Sequence, residues 1–141
     1  MRKIEFRVWD KENNHFWEDG KSGKKGYKWD EDWLCLTMDG QVAIFDTEPY
    51  GGESSEQDRF IVQQYIGLKD KNGKEIYEGD IVKSVTGFAA SSPGEVGVIK
   101  WYSYPPGFGV KWAYISNCRL AEEFLADIEV IGNIYENPEL H

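Results

Sequence analysis

Gly20, Lys21 and Ser22 lie in the stretch DGKSGKKG, and these are the residue types that cradle a phosphate group. A phosphate loop also needs a glycine five residues before the second one. His15 holds that position. The segment that follows, GYKWDEDW, lacks the apolar spacing of the helix such a loop must open. The stretch reads as a surface loop. The thiols are Cys35 and Cys118 and the imidazoles His15 and His141, and no spacing among them sets a nucleophile beside a base or a set of zinc ligands. The acidic run DEDW at residues 30–33 lacks the spaced oxygens and glycine of a calcium loop. Glu122 and Glu123 read as the solvent face of a short helix rather than as an acid–base pair. Residue types and spacing therefore assign no catalytic residue, no cofactor and no metal ligand, and the chain reads as a non-enzyme.

The richest patch is aromatic, KWYSYPPGFGVKWAY. Phe108, Val110, Trp112 and Tyr114 alternate onto one face of a strand, as a core stripe does. Gly109, Lys111, Ala113 and Ile115 take the other face. Trp101, Tyr102, Tyr104, Pro105 and Pro106 surround the turn before that strand, where exposed rings make a sticky surface for a partner chain. The same rings would suit stacking on single-stranded bases, but few cations lie beside them.

Strands and turns must position these residues. KIEFRVWD alternates, with Ile4, Phe6 and Val8 on one face and Lys3, Glu5, Arg7 and Trp9 on the other. A turn at Asp10, Asn13 and Asn14 leads to a short strand through Phe16 and Trp17. WLCLT and VAIFD form a second hairpin around Asp39-Gly40. The polar segment EPYGGESSEQD is a linker. RFIVQQYIGL is a strand with Phe60, Val62, Ile66 and Leu68 on one face. Asn72-Gly73 then signals a hairpin turn, and Ile76 and Tyr77 are expected to be buried between turns. Gly79 supplies a tight turn, and Asp80 is placed to accept backbone hydrogen bonds beside it. Strands follow at Ile81 to Val85, VGVIKWY and FGVKWAYI, separated by the flexible loop GFAASSPGE and the turn SYPPG. Residues 117–125 fit a short helix capped by Asn117, and DIEVIGNIY is the last strand.

The pattern predicts a mainly β fold. Residues 1–58 form an N-terminal β-hairpin region, and residues 59–141 form an SH3-like small barrel carrying one short helix, the two parts being separate or intertwined as one domain. Aromatics make up 15% of the 141 residues, so rings must supply much of the buried area. The net charge of −9 is spread evenly. Residues 1–59 carry 9 basic and 14 acidic side chains and the remainder carry 7 and 11. Nucleic-acid binding rests on neutralising phosphates, and this chain would do so against its own field. No apolar run approaches the roughly 20 residues of a membrane helix, and the charged N-terminus is not a secretory signal. The two cysteines read as buried thiols of a reducing cytoplasm rather than as a disulfide framework.

Three segments occur in order: MRKIEFRVWDKENN, QYIGLKDKNGKEIYEGDIVK and IEVIGNIYENPEL. Together they resemble the YopX family of small proteins encoded by bacteriophages and prophages. The resemblance spans essentially the whole chain, and the middle and last segments are its most specific parts. It implies a β-rich fold with an SH3-like C-terminal barrel and a bacterial cytoplasmic setting. It implies no catalytic residue, because the family has no established activity.

The function expected is therefore that of a phage accessory protein binding a host or phage protein, or a second copy of itself, through the aromatic surface. The competing expectation is a small-barrel module for nucleic acid, which requires Lys21, Lys24, Lys25 and Lys28 to gather with Lys69, Lys71 and Lys74 on one face. A third inverts the sign, with an acidic protein mimicking nucleic acid on a host protein.

Overall fold

Among the described residues eleven strands are held in antiparallel pairs whose registers follow from turn chemistry and from where apolar side chains find cover. The computed structural model describes residues 3–17, 33–36, 42–45, 58–90, 92–114 and 118–141. It divides into two compact units: Arg7–Gln63, and Met1–Phe6 with Gln64–His141.

In the unit Arg7–Gln63, strands β1 (Phe6–Asp10) and β2 (His15–Trp17) form the expected hairpin, with Trp9 opposite Phe16. Asp10 organises its turn. Its carboxylate accepts hydrogen bonds from the backbone N–H groups of Glu12 and Asn13, the Asn13 amide, the Trp17 indole and the Arg59 guanidinium. Burial alone would raise the Asp10 pKa, but the bonds from Arg59 and Asn13 outweigh it and hold the carboxyl well below the usual range. Val8, Trp17 and Phe60 pack together above this turn. Strands β3 (Trp33–Leu36) and β4 (Val42–Phe45) pair antiparallel as predicted, and their Asp39-Gly40 turn lies outside the described residues.

The alternation read in the first strand needs correction. Val8 is buried, but Ile4 and Phe6 are 72% and 42% exposed, while Trp9 is buried. β2 pairs only with Val8 to Asp10, and Ile4 and Phe6 lie beyond that pairing. Trp9 finds its own cover edge-on against Phe16, with ring centroids 4.9 Å apart.

The other unit is built on a five-stranded antiparallel sheet. Strands β5 (Phe60–Lys69), which enters this unit at Gln64, and β6 (Glu75–Tyr77) precede β7 (Asp80–Ser84), β8 (Val96–Ser103), β9 (Pro106–Trp112), β10 (Cys118–Arg119), helix α1 (Glu122–Leu125) and β11 (Ile128–Asn133). The sheet order is β10-β9-β8-β7-β11, and the sheet curls as a small barrel does. Ile66, Ile76, Val82, Ile99, Val110, Trp112 and Ile128 form its core. The fold is mainly β, as the sequence predicts.

The turn chemistry agrees closely. Gly73 and Gly79 have φ of 81° and 79°, the left-handed region that favours glycine. Asp70 closes the β5–β6 turn, accepting from the N–H groups of Asn72 and Lys74. The same carboxylate accepts from Val130 N–H, and the Lys71 N–H donates to the Ile128 carbonyl, so this turn caps part of the β11 edge. Asp80 accepts from the Tyr77 N–H at 2.8 Å and from the Asn133 side-chain amide at 3.2 Å. Ile76 and Tyr77 are buried.

Two expectations fail here. The helix is confined to Glu122–Leu125. Cys118 and Arg119 instead extend the sheet by pairing with Val110 and Gly109, and Asn117 lies outside the described residues. Ala121 stands at the N-cap with no side-chain bond, so nothing local prolongs the helix, which is held by packing of Leu120, Phe124 and Leu125 on the core. The loop after β7 is not slack at its base. The buried Asp127 carboxylate accepts from the Ser84 and Thr86 hydroxyls and from the N–H groups of Thr86 and Ala89. Burial would raise its pKa, but these bonds prevail and lower it.

Candidate partner-binding surface

Strands β8 and β9 pair without a register shift. Gly97 lies opposite Trp112, Ile99 opposite Val110, and Trp101 opposite Phe108, all on one face of the ribbon. At one end this face is core. A Cβ on Gly97 would lie 2.6 Å from both Trp112 Cε3 and Val110 Cγ1, so the missing side chain makes room for the indole. Ile99 is fully buried in the middle. At the other end the same face emerges. Trp101 is 53% exposed and packs edge-on against the half-buried Phe108, with centroids 5.0 Å apart.

The hairpin tip extends the emerging surface. Tyr104 is 89% exposed, and Pro105 and Pro106 are exposed. Tyr102 is half-buried on the opposite face, across from Gly107. The structure thus brings Trp101, Tyr104, Pro105 and Pro106 to the outside at one end of the barrel. The carboxyl of Glu78 sits below, accepting from the Trp101 backbone N–H, and burial pushes its pKa up against that bond. The stripe Phe108, Val110, Trp112, Tyr114 is core only in part. The strand ends at Trp112, and Tyr114 is 89% exposed. Phe108, read from sequence as a core position, is the ring that orients Trp101. Only the cross-strand register shows this, because alternation within one strand says nothing about its neighbour.

A second exposed ring was not singled out from sequence. Phe88 is 62% exposed and lies 5.5 Å from the Phe124 ring. The acidic cluster around Tyr77 also escaped. Its hydroxyl lies 3.1 Å from carboxylate oxygens of both Glu5 and Glu75, and Lys3 pairs with the same two acids. Burial, then the hydrogen bonds to Glu5 and Glu75, raise the Tyr77 pKa, so the phenol stays a donor tying the N-terminal segment to β6.

Gly20-Lys21-Ser22, the acidic run at 30–33 before Trp33, and Lys21, Lys24, Lys25 and Lys28 lie outside the described residues. Lys71 pairs with Glu129 at 3.8 Å. His15 stacks near Trp17, with centroids 6.3 Å apart.

A family model described as YopX protein matches residues 5–140. The chain belongs to the YopX family. Its fold is similar to the crystal structure of protein EF1440 from Enterococcus faecalis, with a TM-score of 0.60, 24% identity and 99% of each chain covered. It is also similar to the X-ray structure of protein yopX from Bacillus subtilis, with a TM-score of 0.50, 24% identity, and 100% of this chain and 99% of that one covered. No curated protein matches the chain. The middle and last segments of this chain are joined by hydrogen bonds. EGD and IGN meet through Asp80 and Asn133, and the KDKNGK turn meets IEV through Asp70 and Val130. No helix among the described residues is long and apolar enough to cross a membrane.

Proposed function

We propose that this YopX-family chain is a non-enzymatic phage or prophage accessory protein of the bacterial cytoplasm that binds another protein through the β8–β9 hairpin. The carrying observation is the core stripe that continues past the end of the barrel into the exposed Trp101–Phe108 pair, flanked by Tyr104, Pro105 and Pro106. A tryptophan fixed edge-on by a neighbouring ring loses little conformational freedom on binding, and exposed Trp and Tyr dominate interface energetics. The turn between β8 and β9 carries rings and prolines in place of the charges that usually keep a hairpin tip in water.

The test is affinity capture from lysogenic or infected cells with the wild-type chain and with a Trp101→Ala, Tyr104→Ala variant, alongside size-exclusion chromatography with light scattering. A specific protein retained by the wild type and lost by the variant supports the reading. A chain that stays monomeric and captures nothing overturns it, and a dimer dissolved by the same substitutions transfers the hairpin's role to self-association.

A further inference from the structure

Strand β8 loses its neighbour where its tryptophan emerges. β7 pairs with β8 as far as Ile81 and Val98, and the Gly79 N–H adds one more bond, 2.9 Å to the Ile99 carbonyl. Backbone groups alternate sides along a strand, so the next N–H on that edge of β8 belongs to Trp101. At that level the Tyr77 N–H is turned to the Asp80 carboxylate, 2.8 Å away. The Glu78 side chain fills the place of a strand, its carboxylate accepting from the Trp101 N–H.

Glu78 is itself held from several sides. Its own N–H donates to the Gln64 carbonyl of β5 at 2.9 Å. The adjoining Gly79, turning tightly with φ of 79°, accepts from the Ile134 N–H at 3.0 Å. The carboxylate is therefore carried on a turn tied to β5, to β8 and to the residue after β11. Its negative charge strengthens the bond to the amide. The backbone of Trp101 sets where its indole starts, and the edge-on contact with Phe108, at 77° between the planes, sets where it ends.

We infer that Glu78 is the positioning residue of the hairpin surface: its carboxylate stands in for the missing strand, fixes the β8 backbone at Trp101 and presents the Trp101–Phe108 pair to a partner already ordered. The inference takes its functional meaning from the hairpin reading, but its geometry belongs to the protein alone. Without that bond Trp101 sits on an open strand edge with its N–H in water. A partner would then have to order the tryptophan as it binds, and that ordering lowers affinity.

Amide hydrogen exchange read by NMR on the full chain is the first test. In Glu78→Ala the Trp101 amide should exchange at least about tenfold faster than in the wild type, while the Val110 amide keeps its rate. Glu78→Gln retains a side-chain acceptor and should restore most of the protection. The Trp101 amide resonance should move with pH as Glu78 titrates in the wild type and stay in place in Glu78→Gln. Partner capture should weaken roughly two- to tenfold in Glu78→Ala and recover in Glu78→Gln. If the alanine variant loses its native circular dichroism, Glu78→Asp replaces it, a carboxylate one methylene short of the amide. Unchanged exchange at Trp101, a resonance that does not titrate, or capture by Glu78→Ala equal to the wild type overturns the inference. Capture lost with Trp101→Ala but kept with Glu78→Ala leaves the hairpin reading standing and removes this one. A wild type that captures nothing removes the hairpin reading, and the positioning of Trp101 is then decided by exchange and titration.

Discussion

The two ends of the β8–β9 ribbon are made alike and used differently. At one end Gly97 faces Trp112, and at the other Trp101 faces Phe108. Trp112 is 2% exposed and Trp101 53%. The sheet neighbours make the difference. β7 pairs with β8 from Val96 to Val98, and the core cluster ends at Ile99 and Val110, so the last pair of the stripe lies beyond the barrel's rim. A stripe of large residues thus supplies stability where the barrel closes over it and a contact surface where it does not.

Substitutions at the two ends should separate these roles. Trp112→Ala should have the largest effect, a loss of about 3–5 kcal/mol in urea unfolding, because a fully buried indole leaves a cavity. Trp101→Ala should leave the unfolding midpoint nearly in place but weaken partner capture by at least about 2 kcal/mol, a shift that calorimetry with the captured partner would read. An unfolding loss at Trp101 as large as that at Trp112 would erase the distinction between the ends. Gly97→Ala should cost about 1–3 kcal/mol, since the added methyl meets Trp112, Val110 and the Lys111 carbonyl oxygen, the last of which cannot rotate away.

The smallest effect concerns Glu78, beneath the exposed end. Its folded pKa lies above its unfolded value because burial disfavours the carboxylate. Its contribution to stability is therefore full below the unfolded pKa and fades as pH rises through the folded one. Glu78→Gln should remove that decline, so the difference between the two proteins' unfolding curves should shift in favour of the variant from acid to neutral pH. Asp127 works in the opposite direction. Its pKa is lowered, so its stabilisation is present above the unfolded value and disappears as pH falls toward the folded one, and it leaves the Glu78 difference untouched in the neutral range.

Sequence reasoning succeeded where the chemistry was local. Asn72-Gly73 and Gly79-Asp80 act within a few residues, and glycine's left-handed φ and the Asp80 acceptor follow from residue type alone. The hairpins and the mainly β fold were legible for the same reason. It failed where a distant partner decides. Ile4 and Phe6 alternate correctly but lie beyond the residues that pair with β2. The loop after β7 looks slack until Asp127, 41 residues away from Thr86, is seen to hold it. The residues of the aromatic surface were found as a group, but their ordering into an exposed end and a buried end required the cross-strand register.

The ties between Asp70 and Val130 and between Asp80 and Asn133 also set a schedule. Asp70 and Asp80 emerge from the ribosome 60 and 53 residues ahead of their partners. Until β11 is synthesised, the Asp70 turn has no strand edge to cap, and the Asp80 carboxylate is missing a donor it needs in order to be buried. The nascent chain consequently carries an unfinished barrel until β11 has been made, and that strand supplies the missing donors.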